Sequence, residues 1–148
     1  MTTAEFDDWM PKQLTGYAAL IVSSGAMPAA AARRKAEADT ARMFPRGYES
    51  PGQLLFRVMA GETAAGWLWL SVPSPDDPLM AWVYDVEIEA AFRGHGYGRA
   101  AMRLAEDEAR SRGMTSLGLN VHGQNTIARS LYESLGYETT ALQMRKAL

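Results

Sequence analysis

Gly94, Gly96 and Gly98 alternate between Arg93 and Arg99, directly after a strand-like apolar run and directly before a helical one. Glycine at alternate positions lets successive backbone N–H groups turn toward one point without Cβ interference. A helix starting there adds the positive end of its dipole. The chemistry this suits is anion binding, with His95 and Tyr97 between the glycines and the two arginines adding positive charge. Each charge-assisted hydrogen bond is worth ~1.5–3 kcal/mol, so a few converging amides hold a diphosphate without a metal. Two familiar phosphate loops do not fit. There is no G-x-x-x-x-G-K-S/T, and the spacing lacks the last interval of G-x-G-x-x-G.

Asp85 and Glu87 lie on the run that leads into this loop. A carboxylate there is a candidate general base, taking a proton directly or through water. In a regular strand the two share one face, and a bulge would separate them. His95 and His122 are the only histidines and cysteine is absent. No thiolate nucleophile, disulfide or metal centre is therefore expected. His122 is a second candidate base, although a turn histidine facing water is the plainer reading. Asp76, Asp77, Asp85, Glu87 and Glu89 give their surroundings a negative character that favours a cationic partner. Trp67, Trp69 and Trp82 suit either a pocket wall or core packing, with core the better reading.

The elements that must position these groups follow from periodicity. Phe6, Trp9, Leu14, Tyr17, Leu20 and Ile21 recur at roughly helical spacing, interrupted by Pro11 and closed by Ser23, Ser24 and Gly25. An Ala-rich helix over 29–43 follows Pro28 and reads as a lid over a sheet. Runs over 53–60 and 65–72, separated by Gly61 and Glu62, predict an antiparallel hairpin. A third strand is expected over 80–88. After the glycine loop, Tyr97, Ala101, Leu104, Ala105 and Ala109 predict one helix face, with Gly113 as its stop. Leu117, Leu119 and Val121 alternate as a short strand. Asn125 is placed to cap a helix with Ile127, Leu131 and Leu135 as its core stripe, ended by Gly136, and 137–146 reads as a final strand. The expected architecture is α/β, a single mixed β-sheet flanked by helices, in one domain spanning 1–148.

The glycine segment Arg93-x-x-Gly96-x-Gly98 is followed by Asn125-x-x-Ala128-x-x-Leu131-Tyr132-Glu133-x-x-Gly136-Tyr137. Together these resemble the GNAT acyltransferase superfamily, whose pyrophosphate loop reads R/Q-x-x-G-x-G/A and whose later motif reads N-x-x-A-x-x-L/F-Y-x-x-x-G-F/Y. The resemblance runs from about residue 45 to 146. It is nearest to a little-characterised bacterial branch that shares Pro45-Arg46-Gly47, Gly66-Trp67-Leu68-Trp69 and Tyr84-Asp85. It implies a GNAT-like acyl-coenzyme A fold and acetyl-CoA as cosubstrate. It further implies that Val86, Glu87 and Ile88 offer strand backbone to the acetyl and pantetheine arm, and that Gly94 through Arg99 hold the pyrophosphate. Asn125 would contact the cofactor arm. Tyr132 would stand near the sulfur as general acid, with Asp85 or Glu87 as base. Two departures stand out. Asn120 occupies the place where protein N-terminal acetylating relatives carry glutamate, and Ala90 the place of a frequent proline. The strand that usually precedes the first helix is not recognised either: it is absent or the natural gene starts further upstream, and dimer contacts are the expected cover for that edge.

The expected function is acetyl transfer from acetyl-CoA to a primary amine of a small molecule or peptide. A non-catalytic coenzyme A-binding sensor or partner domain is the alternative. The chain has 148 residues, 47% of them hydrophobic, enough for one core. Fifteen Lys and Arg against 17 Asp and Glu give a net charge of -2, unlike the basic excess that duplex binding needs. Nucleic acid is not an expected partner. No basic-then-apolar leader and no run of ~20 apolar residues occurs, so a cytoplasmic protein without a membrane partner is expected.

Overall fold

Thr2 and Glu5 start the first helix by a reciprocal pairing. The Glu5 N–H donates to the Thr2 hydroxyl at 3.3 Å, and the Thr2 N–H donates to the Glu5 carboxylate at 2.7 Å. The structure is a computed structural model describing residues 1–142, 144 and 146. Helix α1 (Thr3–Ser23) runs through Pro11 without the expected interruption. Pro11 and Asp7, the residue whose carbonyl loses its donor, both face water, so solvent satisfies what the helix cannot. Helix α2 (Ala29–Met43) buries only Ala32 and Ala36 and shows most of its charges to solvent, while Asp39 is half-buried and accepts from the Tyr17 hydroxyl of α1 at 3.1 Å.

The hairpin forms as expected between β1 (Gln53–Ala60) and β2 (Thr63–Ser71), with Gly61 at φ 62° in its turn. β3 (Met80–Ile88) is antiparallel to β2, and β4 (Ser116–Leu119) is parallel to β3. The sheet order is β1-β2-β3-β4. This is the expected mixed sheet flanked by helices. At Gly66 the strands nearly touch: a Cβ there would lie 2.0 Å from the Glu87 carbonyl oxygen. Among the described residues no helix is long and apolar enough to cross a membrane.

Each sheet face has its own core. On one, Leu68, Leu70, Ala81 and Val83 pack against helix α3 (Tyr97–Ser111). On the other, Trp69 and Leu55 meet Phe6 and Trp9 of α1 and Phe44 after α2, with the Trp9 and Trp69 rings edge to face at 5.8 Å. Two core assignments from periodicity are corrected. Leu104 is exposed and Met102 is buried in its place. The buried stripe of α3 is Ala101, Met102, Ala105 and Ala109, with Met102 the one large side chain among alanines. In helix α4 (Thr126–Ser134), Ile127 is 86% exposed, while Leu131 and Leu135 are half-buried.

The expected final strand is not formed by its described residues. Residues 137–142, 144 and 146 carry no strand pairing, and the alternating Leu142 and Met144 find no sheet face to cover. Gln143 and Arg145 lie outside the described residues. At the opposite edge, the Met1 amino group donates to the Leu55 carbonyl of β1 at 3.3 Å.

Candidate active site

The site begins where the sheet comes apart. β4 pairs with β3 only from Met80↔Ser116 to Val83↔Leu119, so β3 continues past Val83 without a parallel neighbour. The Glu89 N–H donates to the Ala65 carbonyl at 2.8 Å. Backbone groups of an antiparallel strand alternate sides, so Asp85, Glu87 and Glu89 direct theirs at β2. Val86 and Ile88 direct theirs at the open edge. The Ile88 carbonyl there accepts from the Arg93 Nε at 2.8 Å.

The glycine loop closes one end of this gap. Gly94 and Gly96 have φ of 79° and 86°, and Gly96 is the N-cap of α3. Arg93 donates to the Ala90 carbonyl and Ala100 to the Gly96 carbonyl. Among the described residues, no acceptor takes the intervening N–H groups of residues 94–99. Amides left unpaired at a helix start are an anion site in form. The Arg99 guanidinium donates to the Ser134 hydroxyl at 2.6 Å and ties α3 to α4, while the His95 ring packs its Nδ1 against the Arg93 carbonyl at 2.8 Å.

Asp85 and Glu87 share one face. The bulge in β3 falls at Tyr84, before both: Trp69 pairs with Asp85 but Leu70 with Val83. Tyr84 and Asp85 thereby turn to the same side, with the Tyr84 ring stacked on Trp69 at 4.7 Å. Tyr84 also lines a cleft of about 460 Å³ with Arg42, Gln53, Pro75 and Asp76. Asp85 is largely buried. Its Oδ2 accepts from the Trp67 Nε1 at 2.6 Å and from the Gln13 side-chain amide of α1. Burial pushes the Asp85 carboxyl above the usual range, against the pull of Trp67, Gln13 and the Val86 amide. Glu87 is pushed up as well, by burial and then by the Asp85 charge.

Tyr132, half-buried on α4, packs against the α3-side core and sits 5.9 Å from the Tyr137 ring. Burial, and after it the Asp85 charge, raise its hydroxyl pKa. It therefore stays an O–H donor throughout the neutral range. Asn125 caps α4, its Oδ1 accepting from the Ala128 N–H at 3.1 Å. His122 and Asn120 are exposed beyond β4. Of the tryptophans, Trp69 is core, Trp67 belongs to the Asp85 cluster, and the Trp82 ring lies over Gly118, where a Cβ would meet it at 2.5 Å. Gln13 was not singled out by sequence. The available signal was its place in the stripe Phe6, Trp9, Gln13, one face of α1.

The model of the acetyltransferase (GNAT) family matches residues 24–137. The uncharacterized N-acetyltransferases YycN and YdgE of Bacillus subtilis are 31% and 30% identical over the whole chain, covering 96% and 95% of their own lengths. The crystal structure of YycN superposes with a TM-score of 0.87, covering 100% of this chain and 95% of that one. An aminoglycoside N-acetyltransferase, AAC(6')-Iy, solved in complex with CoA, shares the fold at 20% identity. It has a TM-score of 0.57 and covers 78% of this chain and 88% of its own.

Proposed function

The chain belongs to the acetyltransferase (GNAT) family, and we propose that it transfers the acetyl group of acetyl-CoA to a primary amine of a small molecule or peptide. It is an acyltransferase enzyme; the donor, the direct attack and the residue roles are the proposal. The observation that carries the reading is the run of unpaired amides from Gly94 to Arg99 beside the open edge of β3. These amides suit a pyrophosphate. The backbone of Val86 and Ile88 suits the amide-bearing arm that would lie along the strand, and Asn125 is the residue this reading sets against that arm.

An ordinary amine of pKa ~10.4 is neutral in roughly one part in 2,500 at pH 7, which costs about 4.6 kcal/mol at the moment of attack. Asp85 is the base that recovers part of this, directly or through one water. Its raised pKa brings it nearer the operating pH, the condition under which proton transfer is most efficient. Glu87, more exposed on the same face, attracts the cationic acceptor toward it. In this reading the Val86 N–H, on the open edge of β3, stabilises the developing oxyanion. Tyr132 donates its proton toward the leaving sulfur. The cleft beside Tyr84 is where the body of the acceptor would lie.

Two assays test this. Calorimetry should show CoA and acetyl-CoA binding, and thiol release from acetyl-CoA should respond to a panel of polyamines, aminoglycosides and short peptides. Failure of both thioester and free CoA to bind would end the proposal. Binding with no turnover on any amine would remove the acceptor class and favour a sensing role.

A further inference from the structure

α1 crosses the front of the sheet on a stripe that changes character along its length. Phe6 and Trp9 are buried over Trp69 and Leu55, and one helical repeat later the stripe reaches β3 with Gln13 rather than an apolar residue. A part-buried amide must find partners. Gln13 Nε2 finds the Asp85 carboxylate, and so does the Trp67 Nε1 from β2, both on Oδ2.

We infer that Gln13 is a positioning residue: with Trp67 it pins Oδ2 of Asp85, fixes the carboxyl plane, and leaves Oδ1 as the oxygen that accepts the proton of the incoming amine. The inference rests on the reading of Asp85 as base and adds to it a device supplied by a different element. Two donors on one oxygen do more than hold the group in place. They stabilise its charged form inside an apolar setting that otherwise favours the protonated acid. The titratable groups on which the Asp85 charge acts are Glu87 of the same strand and Tyr132 of α4, and neither of them perturbs Asp85 in return. Gln13 and Trp67 contribute neutral N–H groups, so replacing Gln13 changes hydrogen bonding without adding a new titration.

The test uses the whole chain and reads the pH dependence of kcat/KM for the best amine found. Gln13→Leu keeps the volume and removes the donor. The acid limb of the profile should then move up by about one pH unit, a roughly tenfold change in the proton affinity of Asp85. Gln13→Lys places a cation in the same reach and should move the limb down. CoA affinity by calorimetry reports on folding and should stay within twofold for both, because Gln13 reaches the Asp85 side chain and not the amides of the glycine loop. A merely structural role for Gln13 would lower kcat or stability in both variants with the limb unmoved, and that result overturns the inference. Asp85→Asn separates the two levels. If it abolishes turnover while Gln13→Leu leaves the limb in place, only the positioning role falls. If it leaves both rate and limb unchanged, the assignment of Asp85 as base falls first and takes the positioning role with it.

Discussion

Replacing Gly96 by valine isolates the contribution of main-chain geometry at the loop. A Cβ at Gly96 meets nothing within 4 Å, so no steric collision with a neighbour confuses the result. The penalty is in the backbone alone. Its φ of 86° and ψ of -3° belong to a region that costs an L-residue about 1–2 kcal/mol and that β-branched residues avoid. The loop will relax toward negative φ and rotate the flanking amides of Gly96 and Tyr97 away from the common point. Two charge-assisted bonds at ~1.5–3 kcal/mol each amount to roughly 3–6 kcal/mol, or about 10²–10⁴-fold in CoA dissociation constant. Gly113 supplies the control. It has φ 80°, also with nothing within 4 Å, but it follows α3 at the far end. Gly113→Val should lower Tm by a few degrees, as expected for ~1–2 kcal/mol in a chain of this size, and leave CoA binding alone. Calorimetric titration of both variants with CoA reads the difference. If Gly96→Val binds CoA as tightly as the parent chain while Gly113→Val shows its loss of Tm, the amides are not the anion site.

Tyr132→Phe should lower kcat by about 10² with the acetyl-CoA KM little changed, as loss of a positioned proton donor does; steady-state kinetics at saturating acceptor would show this, and unchanged turnover removes the acid role. For Asp85 the sign follows from its raised folded pKa. Activity needs the ionised form, so the acid limb of kcat/KM should lie above the ordinary carboxylate range. Stability runs the other way: it is highest where the buried acid is protonated and falls as pH rises from the unfolded-state pKa through the raised folded one. Thermal melts across that window should show the decline, and Asp85→Asn should flatten it. Gly66→Ala forces a backbone shift, since the new Cβ would sit 2.0 Å from the Glu87 carbonyl oxygen and 3.1 Å from the Ile88 Cα. It should destabilise the chain by more than 2 kcal/mol in urea titrations and weaken CoA binding together with it.

What sequence made legible was local. The Gly61 turn, the alternating glycines and the Asn125 cap each act within a few residues, and each is found where its chemistry puts it. What it hid depends on partners distant in the chain. Leu104 read as core because it is large and near the apolar period, yet α3 turns Met102 and three alanines inward and Leu104 to solvent. Ile127 fits the apolar period of α4 while the described chain offers nothing to cover it. The bulge at Tyr84 has no composition signal; it appears only in the register against Trp69 and Leu70. Gln13 is a neutral residue in an amphipathic helix, and its meaning depends on a carboxylate 72 positions away.

The early parting of β3 from β4 at Val83 and Leu119 has a consequence for how such a catalyst diversifies. On the proposed reading, the donor is gripped by peptide groups exposed where the ladder stops, while the acceptor meets the side chains of Gln13, Trp67, Tyr84 and Asp85 from three separate elements. Mutation rewrites side chains freely and peptide groups hardly at all. One half of the reaction is thereby insulated from drift, and the other is left open to it, so that new amines can be recruited by exchanging a few residues on α1 and its facing strands without relearning the handling of the thioester.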